Sequence, residues 1–202
     1  IRIIYRGESF YNPMLEKAVK NLEDKGLIQI SEGAKCVYVE GYTNREGEPL
    51  PFMVQKSDGG YNYASTDIAS IEHRVKEEKG DRLIYVTDMG QATHFAMLFE
   101  VAKMAGIYDP KKVRCDHVPF GLVLGPDGKK FKTRSGETEK LIDLLNTAVT
   151  KAKSILQERL AANESKFDPN DLGHLAHVLG IGAIKYADLS CNRTNDYMLS
   201  YE

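Results

Sequence analysis

Residues 83–105 read LIYVTDMGQATHFAMLFEVAKMA, and this stretch decides the fold class. Leu83-Ile84-Tyr85-Val86 is a short apolar run, read as a buried parallel strand. Phe95, Leu98, Phe99 and Ala102 then recur at i, i+3, i+4 and i+7, which predicts a helix over 91–105. Gly90 permits a sharp strand-to-helix turn between them. Upstream, Ile68, Ile71 and Val75 share one side of a helix predicted over 65–79. Downstream, Val113 to Val118 reads as the next strand. This helix-strand-helix-strand order fits right-handed crossovers on a parallel sheet. Such sheets take ligands at the carboxyl ends of their strands, so the loops after Val86 and Val118 are where chemistry is expected.

Residues 8–26 predict an amphipathic helix with Met14, Leu15, Ala18, Val19 and Leu22 on one face and Gly26 as its stop. Cys36 to Val39 and Phe52 to Val54 read as two strands of a hairpin over 35–55, joined by the polar stretch Thr43 to Glu48. Lys56-Ser57-Asp58-Gly59-Gly60 is a turn signal. After residue 137 the pattern becomes helical: Leu141, Leu144, Leu145, Ala148, Ala152, Ile155 and Leu156 predict a helix over 138–161. Asn163 to Lys166 breaks it. Asp168-Pro169 then reads as an N-cap with proline at the first helical position, with Asp171 completing a capping-box-like arrangement before a helix to about Leu189. The expected division is therefore α/β over 1–137 and helical over 138–202.

The 202 residues carry a net charge of −2, with 42% hydrophobic and 28% charged residues, which excludes collagen, a disulfide scaffold and a disordered chain. No apolar run approaches about 18 residues, so no membrane-spanning helix is read. Cys36, Cys115 and Cys191 are far apart and odd in number, which points to buried thiols in a reducing compartment and makes the cytoplasm the default location. The chain opens at Ile1 without a methionine and is expected to be a piece of a longer protein. Residues 111–154 hold ten Lys/Arg and five Asp/Glu, a local excess of basic charge in an otherwise acidic chain. Such a zone meets phosphate, or is an ordinary solvated face.

Four strings carry candidate chemistry. In Tyr63-Ala64-Ser65-Thr66-Asp67 a carboxylate stands at a helix entry, where the helix dipole favours it. Asp88-Met89-Gly90-Gln91-Ala92-Thr93-His94-Phe95 follows a strand and offers the Gln91 amide and the His94 ring. In His117-Val118-Pro119-Phe120-Gly121, the glycine would let backbone approach a ligand. Leu124 to Gly136 is a turn followed by a basic, hydroxyl-rich loop, and Lys132, Thr133, Arg134 and Ser135 are the residue types that hold a polyphosphate. The Walker spacing is absent. Each string also has a plain structural reading: a completed first turn, a satisfied histidine, a strand exit, a solvated loop.

Taken together, Asp58-Gly59-Gly60 with Tyr63 to Asp67, Asp88 to Phe95, and Gly121 to Leu124 with Lys130 to Gly136 resemble arginyl-tRNA synthetase, a class I aminoacyl-tRNA synthetase. Lys185-Tyr186-Ala187-Asp188-Leu189 with Asn192-Arg193 resembles the helical region after the catalytic domain of that family. The resemblance covers nearly the whole chain, in order. It implies the second half of a parallel, Rossmann-like nucleotide-binding sheet with an inserted β-hairpin, followed by an α-helical segment leading into an anticodon-binding domain. It implies activation of L-arginine with ATP, with Mg2+ accompanying the nucleotide, and transfer to tRNA(Arg).

By similarity, Tyr63, Asp67 and Gln91 line the arginine pocket, and His94, Phe120, Gly121 and Phe131 lie on the ATP side. Lys132, Thr133, Arg134 and Ser135 resemble a degenerate KMSKS loop, with Arg134 at the second lysine, positive against the developing pyrophosphate. A guanidinium presents five donors in a planar fork, so its pocket needs an acceptor carboxylate, and Asp67 is the choice. The other class I signature, HxGH, is absent. Gly173-His174-Leu175-Ala176-His177 lies downstream in a helix and is no substitute. The chain alone is therefore expected to form no arginyl-adenylate. The alternatives are a non-catalytic nucleotide- or RNA-binding module with a helical tail, and a class I synthetase of another specificity.

Overall fold

A computed structural model describes residues 2–125, 128, 140–164 and 166–198. The chain divides into two compact units, Ile1–Val118 and Pro119–Glu202. This division lies upstream of residue 137, where the sequence changes periodicity. The reason is that residues 119–124 bond to residues 193–198, as described below.

In the first unit, a 3-10 turn over Glu8–Met14 runs into α1 (Leu15–Asp24). Leu15, Ala18, Val19 and Leu22 of α1 are buried, the face read from the sequence. A three-stranded antiparallel sheet follows: β1 (Gln29–Ser31), β2 (Ala34–Thr43) and β3 (Pro49–Gln55). Cys36 pairs with Met53 and Val37 with Phe52, the expected hairpin. β1 is an addition to that expectation, with Ser31 opposite Ala34. Its turn places Glu32 at φ 49° and Gly33 at φ 80°. Two successive left-handed residues suit a hairpin turn, but glutamate is a poor signal for the first of them.

Next come α2 (Tyr63–Lys76), β4 (Arg82–Asp88), α3 (Ala92–Met104) and β5 (Arg114–Phe120). β4 and β5 are paired, on either side of α3 in the sequence. Ile68 and Ile71 of α2, Leu98 and Val101 of α3, Val37 and Val54 of the hairpin and Leu22 of α1 form a fully buried core. The strand at 83–86 differs from expectation. Leu83 and Tyr85 are buried, whereas Ile84 and Val86 are 53% and 62% exposed. An unbroken apolar run implies cover on both faces. Among the described residues the core covers one face, so burial alternates along the strand.

In the second unit, β6 (Val123–Leu124) and β7 (Tyr197–Met198) pair in parallel. α4 (Leu141–Ala161) packs on α5 (Leu172–Ser190) through Leu144, Ala148, Ala176 and Gly180. Asp168 caps the short 3-10 turn Pro169–Asp171 by accepting from Asn170 N at 2.8 Å. Asp171 adds no reciprocal bond among the described residues. All three cysteines are free. Burial pushes the Cys36 and Cys115 thiols up, whereas Cys191 is exposed rather than buried.

Candidate functional site

The first turn of α2 is built by its cap. Asn62 Oδ1 accepts from Ala64 N at 3.1 Å and Ser65 N at 3.3 Å, while Ser65 Oγ accepts from Asn62 N at 3.2 Å. Ser65 Oγ, fully buried, donates in turn to Val54 O of β3. This reciprocal capping box pins the helix entry to the hairpin. Tyr63 therefore becomes the first helical residue, 60% exposed, with Thr66 and Asp67 three and four positions on and on its side of the helix. Asn62→Ala is expected to cost about 1 kcal/mol. A urea titration followed by circular dichroism measures it, and an unchanged midpoint would show that Ser65 alone holds the turn.

The exit of β4 supplies the second wall. Asp88 Oδ1 accepts from Gly90 N at 2.9 Å and forms a 3-10 turn over Met89–Gln91 that feeds α3. A Cβ on Gly90 would stand 2.8 Å from that carboxylate oxygen, so a side chain there would require the Asp88 cap to shift. Gln91 and His94 follow, three residues apart. Asp67 Oδ2 and His94 Nε2 are 2.7 Å apart, with the Asp67 side chain 27% exposed and that of His94 12%. Phe52 stacks on the His94 ring at 5.5 Å, and Tyr63 meets it edge-on at 4.8 Å. Behind Phe95, His117 stacks at 4.9 Å and lies 2.8 Å from Thr87 Oγ1.

Between these walls is a concavity of about 480 Å3, within the range of small-ligand sites. From α2 it is lined by Tyr63, Thr66 and Asp67; from β4 and α3 by Thr87, Asp88, Gln91 and Phe95; from the entry 3-10 turn by Glu8. Among the described residues its lining holds three carboxylates and neither lysine nor arginine. A small cation is the ligand that this field attracts. Tyr63, Asp67 and Gln91 are brought together as expected. Glu8, more than fifty residues upstream of Tyr63, was invisible as a neighbour, and only its placement by α1 packing against α2 reveals it.

The other candidate residues fall elsewhere. His94, expected on the nucleotide side, bonds to Asp67 through Nε2. Phe120 ends β5 at 41% exposure. Gly121 does allow a close backbone approach, but the approaching group is the chain itself. Gly121 N donates to Arg193 O at 2.8 Å, and a Cβ there would stand 2.0 Å from Asn195 O. Tyr197 N donates to Leu122 O, Leu122 N to Asp196 Oδ1, and Arg193 to Pro119 O. Phe131, Lys132, Thr133, Arg134 and Ser135 lie outside the described residues.

Comparison with known proteins identifies the family. Residues 1–201 match the family described as tRNA synthetases class I (R), catalytic domain. The chain is 62% identical over 202 residues to the arginine–tRNA ligase of Protochlamydia amoebophila and 54% identical to that of a Nostoc species. In each case all of this chain aligns with 34% of the relative, so the chain spans about a third of those proteins. The crystal structure of arginyl-tRNA synthetase from Plasmodium falciparum superposes with a TM-score of 0.79 at 35% identity, covering all of this chain and 32% of that one. A structure described as a putative arginyl-tRNA synthetase from Campylobacter jejuni shares the fold, with a TM-score of 0.56 at 14% identity. With a family model matched over residues 1–201 and relatives 54–62% identical over all 202 residues, the chain belongs to the class I (R) tRNA synthetase catalytic-domain family.

Proposed function

We propose that this chain carries the amino-acid recognition site of an arginine–tRNA ligase, which joins L-arginine to ATP and then to tRNA(Arg). The observation that carries the reading is the concavity whose lining brings together Glu8, Asp67 and Asp88, with no basic side chain among the described residues. Asp67 accepts from the guanidinium, and Tyr63 and Gln91 position the ligand on either side of it. A guanidinium donates through a planar fork, whereas an ammonium is a compact point charge. The site therefore separates arginine from lysine by hydrogen-bond geometry, since both ligands carry the same charge. The same acidic field disfavours phosphate at this cavity, which speaks against a nucleotide or RNA module using it.

ATP belongs elsewhere on the protein. The proposed groups are Phe120, Phe131 and the loop Lys132-Thr133-Arg134-Ser135, whose cations stabilise charge on the departing pyrophosphate. Residues 1–137 then form the carboxyl half of the catalytic domain, including the hairpin 35–55, and 138–202 lead into the tRNA-binding helical region. Mg2+ would enter with the ATP phosphates. No described helix is long and apolar enough to cross a membrane. A cytoplasmic location is part of this proposal.

The test is a calorimetric titration with L-arginine and L-lysine, run on this chain and on the full-length protein. For this chain the expected arginine affinity is on the order of millimolar, about −4 kcal/mol. Lysine is expected to bind at least tenfold more weakly in both. Equal affinity for the two amino acids would overturn the reading.

A further inference from the structure

We infer that His94 is a positioning residue for Asp67: its Nε2–H holds one carboxylate oxygen so that the remaining acceptor positions face a guanidinium in the concavity. This rests on the arginine reading above and assigns His94 to the amino-acid site. The distance between Nε2 and Asp67 Oδ2 is 2.7 Å. An ionised carboxylate only accepts, so the hydrogen sits on Nε2. A carboxylate has about four acceptor positions, and His94 takes one of them. Within the described residues it is the one side chain hydrogen-bonded to that carboxylate.

The ring is itself held. The terminal torsion of a histidine is ordinarily broad. Here Phe52 from β3 stacks on the imidazole at 5.5 Å with planes 14° apart. Tyr63 from α2 packs edge-on at 4.8 Å and Phe95 at 5.3 Å. Three rings from three elements fix the direction of Nε2. The arrangement also keeps Asp67 from a competitor. Arg74, two turns further along α2, is the protein's own guanidinium near this carboxylate. Burial lowers its pKa, but Tyr85, Tyr11 and the Asp67 charge raise it by more. Arg74 instead lies over the Tyr85 ring at 5.0 Å and donates to Ser70 Oγ at 3.3 Å. A carboxylate tethered to His94 is preorganised for the ligand, as a supporting shell requires.

The experiment uses the full-length protein with His94→Ala, His94→Gln, Asp67→Asn and the double variant Asp67→Asn/His94→Ala. Kd for L-arginine and for ATP are measured separately, with arginine KM and kcat. His94→Ala is expected to weaken arginine binding at least tenfold, raise KM with kcat changed less than threefold, and leave ATP affinity unchanged. His94→Gln retains a donor amide and is expected to recover arginine affinity to within threefold of wild type. In the Asp67→Asn background, His94→Ala is expected to add no further loss. Unchanged arginine affinity in His94→Ala, equal weakening of ATP and arginine, or an additive loss in the double variant would each overturn the proposal. If His94→Ala does not fold, His94→Gln decides: failure to hold arginine affinity in a folded protein counts against hydrogen-bond positioning. If Asp67→Asn itself leaves arginine affinity unchanged, it is the arginine reading that fails. If Asp67→Asn loses arginine and His94→Ala does not, the His94 proposal alone fails.

Discussion

Asp67→Asn in the full-length protein is expected to lower kcat/KM for arginine by roughly 10- to 150-fold, corresponding to about 1.5–3 kcal/mol for a lost charge-assisted hydrogen bond. The change is nearly isosteric, so the cavity keeps its shape while one of its three carboxylates becomes neutral. The guanidinium sits away from the reacting carboxyl of the amino acid and is held equally before and during adenylate formation. Loss of such uniform binding raises KM and leaves kcat nearly unchanged. The KM for ATP should not move. The preference for arginine over lysine should fall too, but by a smaller factor than kcat/KM, because the lysine ammonium also loses the Asp67 charge and only the fork geometry is particular to arginine. Steady-state pyrophosphate exchange at varied arginine checks all three. A loss confined to kcat would instead place Asp67 at the reacting atoms.

Gly180→Leu is expected to separate α4 from α5 and lower stability by about 1–3 kcal/mol, the usual cost of overpacking a tight contact. A Cβ at this position would lie 2.7 Å from Val149 Cα, 2.8 Å from Val149 N and 2.9 Å from Ala148 C. These are backbone atoms of a hydrogen-bonded helix and cannot yield as a flexible side-chain tip would. The whole of α4 must move, and with it the buried contacts of Ala148 and Ala176. Helix propensity works the other way, since a glycine inside a helix costs up to about 1 kcal/mol relative to alanine. Gly182 isolates that opposing effect. A Cβ there meets nothing within 4 Å, so Gly182→Ala is expected to stabilise the unit by up to about 1 kcal/mol. Thermal melts of the two variants should therefore shift in opposite directions. A shift of both upward would show that the α4–α5 contact relaxes freely.

Much of the site was local and so legible. Tyr63 and Asp67 share one face because they are four apart on a helix. Gln91 and His94 stand at a strand exit because apolar residues before Val86 and after Phe95 change period there. Gly26 ends its helix at φ +67°, as its place in the sequence implied. What the pattern could not supply was the partner of each side chain. Nothing in the string Asp88 to Phe95 shows that Asp67, twenty-seven residues before His94, lies against its Nε2. Gly121 reads as a cradle for a ligand, yet the segment around Asn195 occupies that space.

The amino-acid sequence by itself determined the order of the five helices with the hairpin and strands β4 and β5 between them, the helix faces of α1 to α3, and the residues that form the acidic cavity's nearest wall. These follow from periodicity, caps and turn residues, all of which act within a few positions along the chain. Only the tertiary structure decided that Glu8 joins Asp67 and Asp88 in one cavity, that Ile84 and Val86 stay uncovered, and that residues 119–124 belong with 193–198. Each of these depends on which surfaces meet across large sequence separations. Hydrophobic burial selects those meetings, and because it is non-directional no local pattern records them.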